Sequence, residues 1–190
     1  MARTSIRRGV SKAEWLSAAL KTLSDKGVGA VTVESLAKSL GIAKSGFYWH
    51  FRDRRELLAA VLSYWIHETT EIITGNPEML ELEPRCRLEK SAEMILDYDF
   101  AGYDLVMRQW ALHDADAAGA VRKVNRLRLD FIRRAFAELG FEGEDLEMRT
   151  MLFVCYQSME GAMFPRLSRK RRREMMRRRV ALLTQPASSS

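Results

Sequence analysis

Within the stretch Thr32 to Phe51, Lys44, Ser45, Tyr48 and His50 bring an ammonium, two hydroxyls and an imidazole close together. Groups of this kind bind phosphate oxygens and base edges by donating hydrogen bonds; alone they activate no nucleophile. The remaining chemistry-bearing residues are scattered. His67, His113, Asp97, Asp99, Asp114 and Cys155 show no nucleophile–base spacing, no His-x-x-x-His or Cys-x-x-Cys metal pair and no Gly-rich phosphate loop. Asp99 and Asp104, near Tyr98 and Tyr103, read as helix-end and surface residues. The expectation is a binding protein, not an enzyme, with no cofactor and no metal.

The charge distribution agrees. Residues 1–55 hold 11 Lys and Arg against 4 Asp and Glu, a net +7, whereas residues 56–165 hold 11 against 20, a net −9. Residues 166–190 hold 9 against 1, a net +8 in a chain of +6 overall. A basic head on an acidic body points the head at a polyanion. No apolar run approaches the roughly 18 residues of a membrane span. The basic start lacks the apolar stretch of a signal peptide. Cys86 and Cys155 are too isolated for a disulfide framework or a zinc site, so a reduced, cytoplasmic setting is expected, with no membrane partner.

Apolar residues recur at helical spacing, so the fold class is all-α: an N-terminal three-helix domain with a helix-turn-helix, then a larger helical domain. Ser11 and Glu14 form a capping box before the stripe Trp15, Leu16, Ala19, Leu20 and Leu23, and Gly27 is a stop. Thr32 caps a second helix carrying Val33, Leu36, Ala37 and Leu40, broken by Gly41. A third runs from about 43 to 50, with Phe47 and Phe51 on one stripe and Ser45, Gly46 and Trp49 roughly opposite. Asp53 and Glu56 open a fourth helix through Leu57, Leu58, Val61, Leu62, Trp65 and Ile66, ending near Gly75-Asn76-Pro77. The stretch to Pro84 reads as a loop. Helices follow over about 85–97, 103–112, 117–139, 144–164 (stopped by Pro165) and 168–183. The expected division is a helix-turn-helix domain over 1–55 (helix-turn-helix about 32–51), a larger helical body over 56–185, and a flexible tail over 186–190.

Thr32, Leu36-Ala37, Gly41-Ile42, Tyr48, His50-Phe51, Arg54 and Leu57-Leu58, all in register, resemble the signature of the tetracycline-repressor (TetR) family's DNA-binding domain over about residues 10–65. The resemblance implies a recognition helix at 43–50, with Lys44, Ser45, Gly46 and Tyr48 nearest the base edges. Thr32, Tyr48, His50 and Arg54 would then serve phosphates. Ala43 and Trp49 complete the expected DNA-binding set. Arg54 stands where the family usually has Lys, and Ala43 where it often has a Ser cap, whose loss favours fraying of the helix. Phe47 is bulkier than the usual aliphatic residue there.

For the body, the resemblance implies a homodimer through the last two long helices. Met148, Met151, Leu152, Cys155, Met159 and Met163 populate the first, and Met175, Met176, Val180 and Leu183 the second; interface and internal core both fit this pattern. It also implies an effector pocket, with Trp65, Tyr98, Tyr103, Met107, Trp110, His113, Phe153 and Tyr156 as candidate lining, though ordinary core fits these too. Their character points to an apolar or aromatic effector. The family expectation is a homodimeric repressor on a palindromic operator in double-stranded DNA, released by that effector. The arginine-rich run 166–179 reads as a solvated helix face. As an alternative function, it serves a basic module binding anionic membrane or RNA.

Overall fold

The computed structural model describes residues 9–98, 101–163 and 166–186. Asp99, the stop expected at Pro165 and the tail residues 187–190 lie outside that set. Among the described residues the structure is helical without strands, and no helix is long and apolar enough to cross a membrane. Two compact units divide the chain, Met1–Trp65 and Ile66–Ser190.

In the first unit, α1 (Lys12–Lys26) opens with a closed capping box: Ser11 N–H donates to Glu14 Oε2 at 2.7 Å, and Glu14 N–H to Ser11 Oγ at 3.3 Å. Its inner face buries Trp15, Leu16, Ala19, Leu20 and Leu23. After a 3₁₀ turn, Val28–Ala30, helix α2 (Val33–Leu40) starts at Thr32, whose Oγ1 accepts from Ser35 N–H at 3.1 Å. Gly41 ends it at φ 68°, a left-handed position where a Cβ is penalised.

The third helix, α3 (Lys44–Trp49), is wound as a 3₁₀ helix. Ala43 supplies no side-chain cap, and a run this short gains little from α-helical cooperativity. Burial of Phe47 and Phe51 holds it instead, with Trp15 edge-on to Phe47 at 5.4 Å between centroids. Helix α4 (Arg54–Ile66) has half of the expected box. Asp53 Oδ1 accepts from Glu56 N–H at 2.8 Å, but Glu56 Oε2 accepts from Arg52 N–H at 2.9 Å rather than from Asp53.

The second unit begins with a π-helical segment, His67–Glu71, and one α-turn, Ile72–Thr74. The extra residue per turn lets neighbouring Thr69 and Thr70 both point inward, at 2% and 1% exposure. The expected loop contains a short helix, α5 (Pro77–Glu81). Asn76 Oδ1 accepts from Glu78 N–H at 2.9 Å, and Pro77 presets the first turn. Then come α6 (Pro84–Asp97), α7 (Ala101–Ala111), α8 (Ala115–Glu138), α9 (Gly143–Met163) and α10 (Arg169–Leu183).

Their shared core includes Leu88 and Ala92 of α6, Phe131 and Phe136 of α8, and Phe153 and Val154 of α9. Burying each large side chain contributes about 1.5–3 kcal/mol. Met176, Val180 and Leu183 of α10 lie in the same core, at 2%, 0% and 8% exposure. Turned inward, these three are internal core within this chain, one of the two readings their spacing allowed. Arg87 is also buried; it donates to Glu138 and to the carbonyls of Leu80 and Leu82, tying the α5–α6 connection to α8.

Candidate nucleic-acid interface and body cavity

Helices α2 and α3 meet at a small, apolar seam. Leu36 and Ala37 are buried, and Ile42 N–H donates to Ala37 O at 3.1 Å, folding the turn back on α2. Phe47, at 0% exposure, pins one side of α3. The opposite side is open: Lys44 and Ser45 are exposed, Tyr48 is 65% exposed and Trp49 87%. A Cβ on Gly46 would meet only Ile42 Cδ1, at 3.6 Å, an ordinary contact. Packing inside the unit therefore does not require glycine there.

Other members of the expected set have intramolecular partners. The Thr32 hydroxyl caps α2. His50 Nε2 donates to Val10 O at 2.8 Å, holding the segment before α1. Arg54 donates through Nε to Val31 O and through Nη2 to Val28 O, both at 2.7 Å, so its guanidinium ties α4 to the turn preceding α2. Lys44 Nζ contacts Glu34 Oε1 of α2 at 2.7 Å. That hydrogen bond, first among the causes, holds the Glu34 carboxyl below its ordinary pKa.

The body contains a cavity of about 30 Å³. Ile73, Ile95, Phe131, Ile132, Phe153 and Val154 form its apolar wall. Thr69, Thr70, Thr74, Ser91, Asp104, Arg128, Gln157 and Ser158 form its polar wall. Asp104 is 3% exposed, which corrects its reading as a surface residue. It pairs with Arg128, whose Nη2 lies 3.2 Å from Asp104 Oδ1 and whose Nε donates to Thr70 Oγ1 at 3.1 Å.

Ser91 donates to Leu88 O. Gln157 Nε2 and Ser158 Oγ are buried without a hydrogen-bond partner among the described residues. Leaving such a group unsatisfied costs about 1–3 kcal/mol.

Of the expected pocket lining, Phe153 lies on this cavity. Met107 and Trp110 are buried but not among its lining, Trp65 is a buried residue of the first unit, Tyr103 is half-buried, and Tyr98 and His113 are exposed. Tyr156 instead stacks under the Arg179 guanidinium, 3.9 Å from its ring centre. Burial pushes the Arg179 pKa down.

Helix α9 carries two apolar faces. Phe153 and Val154 face the core, while Met148, Met151, Leu152, Cys155, Met159 and Met163 form an exposed stripe on the far side. Met175 on α10 is half-buried. Much of the basic run on α10 is neutralised within the unit. Arg173 pairs with Asp97 at 2.6 Å, Arg172 with Glu160 at 3.6 Å and Arg171 with Glu174 at 3.2 Å.

Sequence reasoning missed Glu34, the Arg128–Asp104 pair and the unpartnered Gln157 and Ser158 groups on the cavity wall. An acid on the exposed side of α2, ten residues before Lys44 at the start of α3, was the available signal for Glu34; the others had none.

The profile of the bacterial regulatory proteins, tetR family, matches residues 16–61. The tetracycline repressor protein class A from transposon 1721 of Escherichia coli is 40% identical over 53 residues, covering 28% of this chain and 24% of the repressor. The HTH-type transcriptional regulator TtgR of Pseudomonas putida is 28% identical over 101 residues, covering 50% of this chain and 48% of TtgR. The chain thus spans about half, or less, of the length of these curated relatives. The fold likeness extends much further. The transcriptional regulator FadR from Bacillus subtilis, solved in complex with stearoyl-CoA, superposes with a TM-score of 0.68 at 15% identity, covering 92% of this chain and 98% of that one.

Proposed function

We infer that this chain, which belongs to the tetR family of bacterial regulatory proteins through its N-terminal unit, is a DNA-binding transcriptional repressor acting as a homodimer. The observation that carries this reading is the two-sided α3: Phe47 is wholly buried, while Lys44, Ser45, Tyr48 and Trp49 project into solvent. A helix held on one side and open on the other fits the major groove, about 12 Å wide. Tyr48, Trp49 and Lys44 are assigned to base edges and adjoining phosphates, and Gly46 to close backbone approach. Thr32, His50 and Arg54 are assigned mainly to positioning, each retaining exposed atoms for phosphate.

One such helix reads too few base pairs, so a dimer places two of them about 34–36 Å apart on a palindromic operator. The exposed Met and Leu stripe of α9 supports that assembly, because an apolar face of this continuity calls for a partner. An effector seated in the body cavity releases the operator by binding one conformation better than the other. That a small molecule is bound by the Bacillus regulator of the same fold supports this assignment. The rival reading, a basic module binding membrane or RNA through residues 166–179, is disfavoured by the ion pairs of Arg171, Arg172 and Arg173.

Selection of bound duplexes from random DNA tests the proposal. One palindromic sequence should emerge, and with about eight phosphate contacts log affinity should fall against log salt with a slope of about −7. If no duplex is preferred over random competitor, the regulator reading fails.

A further inference from the structure

We propose that the body cavity binds a small uncharged molecule with a compact apolar body and one polar oxygen, such as a phenol, an alcohol or a ketone. As an effector site it rests on the regulator reading above; as a ligand site it rests on its own wall.

Charge is decided first. Arg128 and Asp104 are the charged side chains on the wall, and they are bonded to each other, with Arg128 also bonded to Thr69 and Thr70. An anionic ligand recruiting Arg128, or a cationic one recruiting Asp104, would strand the other partner as an uncompensated buried charge. The ligand is therefore neutral.

Its polar end follows from what remains. The Ser91 hydroxyl donates to Leu88 O, and the Thr69 and Thr70 hydroxyls accept from Arg128 and lie 3.5 Å from each other. Among the described residues, Gln157 Nε2 and Ser158 Oγ, on side chains each 6% exposed, are the buried wall atoms with no hydrogen-bond partner at all. An acceptor oxygen on the ligand answers both. The rest of the wall is aliphatic and aromatic, so the remainder of the ligand is apolar.

Size follows from volume. About 30 Å³ is space for roughly one or two water molecules, so an organic ligand enters by moving the walls. Thr74 and Ile95 are half-buried and mark the side with room to yield. Opening by displacement gives the ligand a preference for one body conformation, as release of an operator requires.

The test is calorimetric titration of the whole chain at pH 7 with phenol, benzoate and toluene, which share a ring and differ in polar group. Phenol should bind about tenfold more tightly than toluene, with benzoate weakest. Gln157→Leu, similar in volume but without donors, should weaken phenol about five- to tenfold and leave toluene unchanged; Ser158→Ala should act in the same direction. Circular dichroism verifies the fold of both variants, and Gln157→Leu should melt no lower than the parent. The proposal is overturned if benzoate equals or exceeds phenol, if both folded variants bind phenol like the parent, or if no probe binds. Operator selection on the same preparation separates the two claims. A selected duplex without probe binding removes the ligand class alone, whereas phenol binding without a preferred duplex removes the regulator and keeps the site.

Discussion

Lys44 of α3 and Glu34 of α2 form an ion pair at 2.7 Å that spans the Gly41 turn. It joins the two arms of the helix-turn-helix through side chains that are 58% and 64% exposed, so solvent screens it and it adds little to stability. In the proposed regulator its consequence is for binding, because DNA approaching α3 would compete with Glu34 for the Lys44 ammonium.

Replacing Glu34 with Gln should therefore tighten operator binding about two- to fivefold and steepen the salt slope by about one. The melting temperature should hold within about 2 °C. Fluorescence anisotropy across a salt series reads the effect, and Lys44→Ala in the same background should erase the gain. Weaker binding by Glu34→Gln would mean that the pair orients Lys44 productively.

Trp49 is 87% exposed, so it contributes little to the N-terminal core. Trp49→Ala should leave thermal unfolding unchanged while weakening operator binding about tenfold or more, as loss of a large contact aromatic does. Tyr48→Phe should lose less, since only its hydroxyl is removed. Parent-like affinity in Trp49→Ala would remove Trp49 from the DNA face.

Arg54 satisfies two backbone carbonyls at once, those of Val28 and Val31. A lysine keeps the charge but lacks the planar fork that reaches both. Arg54→Lys should lower stability by about 1 kcal/mol in urea titration. An unchanged urea midpoint would make Arg54 solely a phosphate ligand.

The double variant Met151→Glu, Met159→Glu places two charges on the exposed stripe of α9. Sedimentation equilibrium should show a monomer with parent-like helicity and lost operator binding. Met176→Ala, a core change, should instead cost about 2–5 kcal/mol without a specific effect on assembly. A persistent dimer in the double variant would place the seam elsewhere.

Local signals were legible along the chain because they act within one helical turn. Ser11 with Glu14, Thr32 as a cap, Gly41 as a stop and the buried spacing of Trp15 to Leu23 all appear where the residues imply. The stretch before Pro84 hid a helix because the Asn76 cap and Pro77 start were read as loop residues. The π segment was hidden because inserting one residue per turn leaves no mark on composition.

By itself, then, the sequence determined the helical class, the helix-turn-helix and the side of α3 left open, since hydrophobic period and capping depend on residues three or four apart. Only the tertiary structure decided which apolar faces are core. It turned Met176, Val180 and Leu183 inward and left Met151 and Leu152 outside, a choice made by neighbouring helices and not by the stripe itself. It also decided the partners of Arg54, Asp104 and Arg128, and left Gln157 Nε2 and Ser158 Oγ without one among the described residues. Those contacts join residues tens of positions apart, where chain entropy makes many pairings comparable until a packed core selects one.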